Sequence, residues 1–307
     1  MISMESPARY VEDLRRGVVG GILSPGVRLA EDLLAFLIST SIFLAASGVF
    51  KLYFSFLLYG VPAQWNLLLL TFLLVFSVYG LNKLTDVGED EINNPERVGY
   101  VKKVGRAFKY MIVLSFALSV ILSAITSPWA VLVVLFPIVS GILYSVRVSP
   151  KYPRLKDITG VKNIIIATTW ANGTTFLPYL VAGGVEVWKV LLIYYFFFMK
   201  SMINTIIFDV RDIEGDRING IRTIPVVLGF ERSRKLLILL NSTFVPWLIL
   251  AYSLGYFREY IQVLIFAVIN GYAYILYFTR KGYRPGKALD VWVDGEWFYT
   301  VPLALLL

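Results

Sequence analysis

Two stretches, DVGEDEIN at residues 86–93 and DIEGDRIN at residues 212–219, decide how this chain is read. Aligned at an offset of 126 residues, both fit D-[VI]-x-x-D-x-I-N, and each is followed by an arginine, Arg97 or Arg222. Aspartates four apart on a helix share a face, with Cβ atoms about 5–6 Å apart, so each pair can hold one cation. A single D-x-x-x-D is common on polar loops, whereas two matched copies mark an internal repeat. Extending the stripes backwards adds Asn82 to Asp86 and Asp90, and Asp209 to Asp212 and Asp216.

The sequence around these copies belongs in a bilayer. The 307 residues are 57% apolar and 16% charged, with a mean hydropathy of +0.69, far more apolar than an ordinary soluble domain. Apolar runs near residues 33–50, 66–81, 110–126, 129–144, 163–183, 187–208, 236–256, 260–279 and 292–307 predict nine spans. Backbone groups in lipid must be satisfied within the segment, and the runs lack strand-like alternation, so each is expected to be a helix. The amino terminus and the loops after spans 2, 4, 6 and 8 then share one side. That side holds all of the 29 basic residues except Lys51, Lys189, Lys200 and Arg258, which makes it cytoplasmic.

The expected architecture is an all-α membrane protein of nine transmembrane helices. Residues 1–32 form a cytoplasmic surface segment with no signal-peptide pattern. Residues 33–307 form one domain of two parallel four-helix pseudo-repeats, about 33–146 and 162–280, plus a ninth helix. Four spans separate the two aspartate copies, so both face the cytoplasm and each other. Ala182-Gly183-Gly184 reads as a turn, and Lys51 and Lys200 read as snorkelling residues near helix ends.

The chain has no cysteine and no histidine, which removes thiolate nucleophiles, Cys/His zinc sites and imidazole acid–base chemistry. Metal binding is left to oxygen ligands, which favours Mg²⁺, with Mn²⁺ or Ca²⁺ as alternatives. Four or five gathered carboxylates repel one another unless cations intervene, and two Mg²⁺ ions between the stripes would resolve that conflict while keeping positions for phosphate oxygens. The net charge of +8 follows from topology, and with no nucleic-acid motif present no nucleic-acid partner is expected.

On these residues the chain resembles the UbiA superfamily of intramembrane prenyltransferases. A first motif, N-x-x-x-D-x-x-x-D followed by N-x-P-x-R, is met by Asn82, Asp86, Asp90, Asn93, Pro95 and Arg97. The second, D-x-x-x-D leading into G-I-[KR]-[ST], is met by Asp212, Asp216, Gly220, Ile221, Arg222 and Thr223. A Y-x-x-x-K element after span 4 is met by Tyr152 and Lys156. The resemblance implies that Asp86, Asp90, Asp209, Asp212 and Asp216 bind Mg²⁺, which holds the diphosphate of an isoprenyl donor. It implies that Lys156 and Arg97 foremost, with Tyr152, Arg222, Lys162 and Lys103, contact the diphosphate. Asn82 then orients a metal ligand or the reacting end of the allyl group.

The implied reaction is transfer of the prenyl group, through an allylic carbocation, to an aromatic or lipid acceptor inside the membrane. Hydroxybenzoate, dihydroxynaphthoate, tocopherol-precursor, porphyrin-linked and prenylglyceryl phosphate acceptors all stay open. A dry pocket protects such a cation from water. The competing class is a membrane transporter for a metal- or phosphate-bearing solute, whose acids belong nearer the bilayer midplane.

Overall fold

A computed structural model describes residues 25–85, 95–145, 158–280, 282–283 and 286–307. Regular structure among these residues is helix alone, with no strand. Fourteen α-helices are found among them: α1 (Pro25–Ser39), α2 (Ile42–Tyr59), α3 (Trp65–Thr85), α4 (Pro95–Thr126), α5 (Pro128–Ser145), α6 (Val161–Ala182), α7 (Val187–Arg211), α8 (Ile213–Ile218), α9 (Ile224–Leu228), α10 (Phe230–Ser242), α11 (Phe244–Ser253), α12 (Ile261–Phe278), α13 (Lys287–Val293) and α14 (Trp297–Leu305). A 3₁₀ turn over Asp294–Glu296 joins the last two.

Among the described residues, six stretches are long and apolar enough to cross a membrane: Ile42–Tyr59, Trp65–Thr85, Arg97–Thr126, Val187–Arg211, Phe230–Ser253 and Arg258–Phe278. The other apolar runs are also helical but fall short in different ways. α6 carries Asn163, Thr168, Thr169 and Asn172, and the last run is divided between α13, the 3₁₀ turn and α14.

The first span departs from the expected 33–50. Ser41 takes a left-handed conformation (φ 66°) that separates α1 from α2, and α2 continues through Lys51 to Gly60, whose φ of 72° ends the helix. Lys51 lies inside the bundle instead of marking a span's end, so a reading that stops at the first charge places the helix too early. The turn at 182–184 forms as expected, with Gly183 and Gly184 at φ 56° and 60° between α6 and α7. α10 and α11 meet at Thr243, three residues ahead of Pro246, whereas α6 runs through Pro178 without a break.

α2 is the central element, packed on α3, α6 and α14, while α7 lies against α6 and α10. The main core gathers Phe54 from α2, Phe196 and Phe197 from α7, Phe244 and Trp247 from α11, and Trp297 from α14. Phe196 stacks on Trp247 with centroids 5.3 Å apart, and Phe197 tilts against Trp297 at 5.6 Å. Offset aromatic contacts of this kind add to dispersion and fix ring orientation. They tie the carboxyl-terminal segment to α2 and α7, so that the 294–296 turn closes one side of a cavity.

Lys200 shares this interface. Its ammonium pairs with Glu296 at 2.6 Å and lies 3.3 Å from the Tyr274 hydroxyl, with both charged side chains almost wholly buried. Neither Lys51 nor Lys200 snorkels, because each stands near the middle of its helix, beyond reach of an interface, and finds polar partners inside the bundle.

Candidate active site

A cavity of about 270 Å³ opens between α2, α3, α6, α7 and the 294–296 turn. Its walls bring together Asn82 from α3, Arg97 from α4, Lys162 from α6, and Asp209, Asp212 and Asp216 from the end of α7 and α8. These residues are far apart in sequence, and the helix packing alone makes them neighbours. Asp86, Asp90, Asn93, Tyr152 and Lys156 lie outside the described residues. α3 ends at Thr85, immediately before Asp86, with Asn82 in its last turn facing the cavity.

The second aspartate stripe is not one continuous helix. α7 stops at Arg211, Asp212 sits at the junction (φ −94°, ψ 7°), and α8 carries Asp216. The Asp216 amide still donates to the Asp212 carbonyl at 2.9 Å, so the one-turn relationship survives the break.

The three carboxylates have different partners. Asp209 is buried; its Oδ1 accepts from Lys162 Nζ at 2.8 Å and its Oδ2 from Asn163 Nδ2 at 2.7 Å. Asp212 is held by a two-pronged contact from Arg211, at 2.8 and 2.9 Å. Asp216 is also buried, and its Oδ2 has no hydrogen-bond partner. Burial pushes the Asp216 carboxyl up to about 6; Lys162 opposes the shift, and Asp209 and Asp212 add to it.

A hard divalent cation suits this donor set. An anionic oxygen buried without a partner is costly, and coordination by Mg²⁺ would satisfy it. Among the described residues no three carboxylates converge as a ready-made cage, since Asp209 and Asp212 are turned towards cations of the chain itself. The fit therefore rests on Asp216, with Asp212 at its side.

Two predicted diphosphate contacts stand elsewhere. Lys103 and Arg222 do not line the cavity. Lys103 follows Arg97 by six residues, about 120° away around an ideal helix, and is exposed. Arg222 belongs to the turn between α8 and α9, in which Thr223 is the buried residue.

Several cavity residues carry no motif that would single them out in the sequence. Lys51 donates to Ser201 Oγ at 2.7 Å and lies 4.4 Å from the centre of a Trp170 ring. Arg211 bridges Asp212 and Asp290, the latter at 3.4 Å. Asn204 donates to Asp294 at 2.9 Å. For the last acids a signal does exist, because residues 290–294 spell a third D-x-x-x-D, but Asp290 stands just before the run that reads as the ninth span and Asp294 inside it.

Comparison with known proteins gives the chain's relatives and its fold. The digeranylgeranylglyceryl phosphate synthase of Sulfolobus acidocaldarius is 29% identical over 253 residues, 76% of this chain and 86% of its own length. That of Methanothermobacter thermautotrophicus is 31% identical over 211 residues, covering 65% and 70%. With that of Natronomonas pharaonis the chain is 32% identical over 157 residues and spans about half of the relative's length (52%). The solved structure of a UbiA homolog from Archaeoglobus fulgidus bound to GPP and Mg²⁺ shares the fold, with a TM-score of 0.63 at 21% identity over 89% of this chain and 100% of that one. A solved structure of a digeranylgeranylglyceryl phosphate synthase gives 0.55 at 20% identity, over 90% and 96%. The profile of the UbiA prenyltransferase family matches residues 33–293, across the whole described cavity except Asp294 and Trp297, and the chain belongs to that family.

Proposed function

We propose that the chain transfers a prenyl group from an isoprenyl diphosphate to a hydrophobic acceptor in an Mg²⁺-dependent reaction within the membrane. The observation that carries this reading is a single cavity that holds the buried, unpartnered Asp216 oxygen together with Lys162 and Arg97 from other helices. Asp212 and Asp216, with Asp86 and Asp90 of the first motif, are the residues to hold two Mg²⁺ ions, or Mn²⁺ in their place. Asp209 has both oxygens engaged and serves chiefly to aim Lys162. When bound, Mg²⁺ supplies the positive charge that stabilises diphosphate as a leaving group.

The chain's own residues do the rest. Lys162 and Arg97 bind phosphate oxygens, joined by Tyr152 and Lys156 from the segment between α5 and α6. Phe43, Trp170 and Trp297 line the same cavity and exclude water from it, with the Lys51 ammonium lying over the Trp170 ring. In the full architecture α5, α6 and the α13–α14 segment complete nine spans in two repeats. The aspartates then lie at the cytoplasmic face of the cytoplasmic membrane. The curated relatives are digeranylgeranylglyceryl phosphate synthases, and that name supports a prenylglyceryl phosphate acceptor and a geranylgeranyl donor.

A second, apolar cavity of about 50 Å³ takes part of the donor's tail. It shares Tyr79 and Trp170 with the first, and the Trp170 indole donates to the Tyr79 hydroxyl at 2.7 Å. On α3 the path descends from Asn82 to Tyr79 and then to Val75 and Thr71, about 16 Å of rise along one face. Gly173 lines this cavity, and a Cβ there would meet nothing within 4 Å. Gly173→Phe is therefore expected to fill the cavity and lower turnover of a geranylgeranyl donor at least ~10-fold relative to a geranyl donor. An unchanged ratio between the two donors would remove the tail from this cavity.

The general test incubates purified protein with Mg²⁺, labelled geranylgeranyl diphosphate and a panel of acceptors that includes a prenylglyceryl phosphate. Transfer with release of diphosphate, abolished by EDTA and restored by Mg²⁺, is the expected result. No transfer to any acceptor, together with solute uptake into protein-containing vesicles, would establish the transporter instead.

A further inference from the structure

Among the described residues, two cavity carboxylates have no cation within ion-pair distance: Asp216 and Asp294. Asp209, Asp212 and Asp290 are each paired, with Lys162 or Arg211. Asp216 belongs to the second aspartate motif. Asp294 belongs to neither motif and stands on a different element, the 3₁₀ turn before α14.

That turn is clamped on two sides. Asn204 of α7 donates to Asp294 Oδ1 at 2.9 Å, and the Ser47 hydroxyl of α2 donates to the Asp294 main-chain oxygen. A Cβ at the next residue, Gly295, would come within 3.0 Å of the Phe43 ring, so the turn cannot shift towards α2. Asn204 thus fixes one carboxylate oxygen and leaves the other to the cavity. The charged and titratable groups facing Asp294 are Lys51 from α2, Tyr79 and Lys83 from α3, Arg211 from α7 and Asp290 from α13. Asn204 precedes Asp212 by eight residues, about 12 Å along the helix axis. Asp294 therefore sits about two helical turns below Asp212 and lines the same cavity as the aspartates assigned to the diphosphate.

We propose that Asp294 is the general base for an acceptor hydroxyl, and that Asn204 is its positioning residue. This rests on the transferase reading above and names the acceptor end of that site. The acceptor O–H proton passes to the free Asp294 oxygen while the hydroxyl oxygen's electron pair forms a bond to the donor's first carbon. The bond from that carbon to the diphosphate oxygen breaks, and its electron pair leaves with the diphosphate. The proton on Asp294 returns to water when product leaves. The acceptor class is thus an alcohol, and its oxygen must reach the 294–296 turn.

Asp294→Asn keeps the shape and the Asn204 neighbourhood but cannot take a proton. It is expected to lower kcat for transfer about 10²-fold or more, the usual range for a lost general base. The KM for the donor should change by less than about 2-fold, and the fall in kcat on the acid side of the wild-type pH profile should flatten. Asp294→Glu should recover part of the rate. Wild-type kcat and pH profile in Asp294→Asn would overturn the proposal, as would loss of donor binding in step with the loss of rate, which marks a structural role. Failure of the wild-type protein itself to release diphosphate with Mg²⁺ would instead overturn the transferase reading on which the proposal stands.

Discussion

Asp216→Asn will lower Mg²⁺-dependent diphosphate release about 10²-fold or more and, at the same time, raise the apparent Tm of the metal-free protein at about pH 7. Both effects come from one group. The Asp216 carboxyl is buried, its Oδ2 has no partner, and it holds its proton up to about pH 6 because burial disfavours the charged form. A proton bound more tightly by the folded than by the unfolded chain favours folding at low pH, and that contribution is lost as the pH rises through about 6. Asparagine carries no such penalty, so the Tm difference should open between about pH 4 and about pH 6 and persist above it. Added Mg²⁺ should raise the Tm of the wild type, since a ligand that binds only the folded state stabilises it, and should raise that of the variant much less. Equal Mg²⁺ stabilisation of both proteins, or normal diphosphate release by the variant, would remove Asp216 from the metal site.

Glu296→Ala is the substitution with the largest expected cost to the fold. It leaves the Lys200 ammonium buried, with the Ala267 carbonyl at 3.4 Å and the Tyr274 hydroxyl at 3.3 Å as its remaining contacts. Removing one partner of a buried ion pair typically costs about 3–5 kcal/mol, because the surviving charge has lost both water and counter-charge. The double substitution Lys200→Met with Glu296→Leu removes the charge along with its partner and should recover most of the lost stability. Thermal unfolding in detergent of Lys200→Met, Glu296→Leu and the double variant gives the coupling directly. A double variant no more stable than Glu296→Ala would show that packing around the 294–296 turn, and not the ion pair, holds α14 against α7.

Much of this site is legible in residue type and spacing alone. The two D-x-x-x-D copies, the Asn82 stripe and the absence of histidine and cysteine select hard-metal chemistry, and the cavity gathers Asn82, Arg97, Lys162, Asp209, Asp212 and Asp216. Lys103 and Arg222 fall outside it because proximity in sequence to a motif does not set the direction in which a side chain points. Asp290 and Asp294 are hidden for the opposite reason. Their spacing matches the motif, but their setting is apolar, and an apolar run does not reveal which of its faces meets lipid and which meets a cavity. Lys51 shows the same ambiguity, as a charge that looks like the end of a span and is the polar lining of a cavity inside one.

By itself the sequence determined the properties that depend on short stretches. These are helical form in a solvent without hydrogen bonds and the one-turn spacing of Asp212 and Asp216. Only the tertiary structure decided which of those aspartates are neutralised within the chain. Lys162 and Asp209 are separated by 47 residues, and Asn204 and Asp294 by 90. Their meeting depends on how each helix is rotated about its axis, and that rotation is set by the aromatic packing of α2, α7, α11 and α14. A rotation of one residue, about 100°, would carry each of these groups out of the cavity while leaving every local pattern in the sequence unchanged.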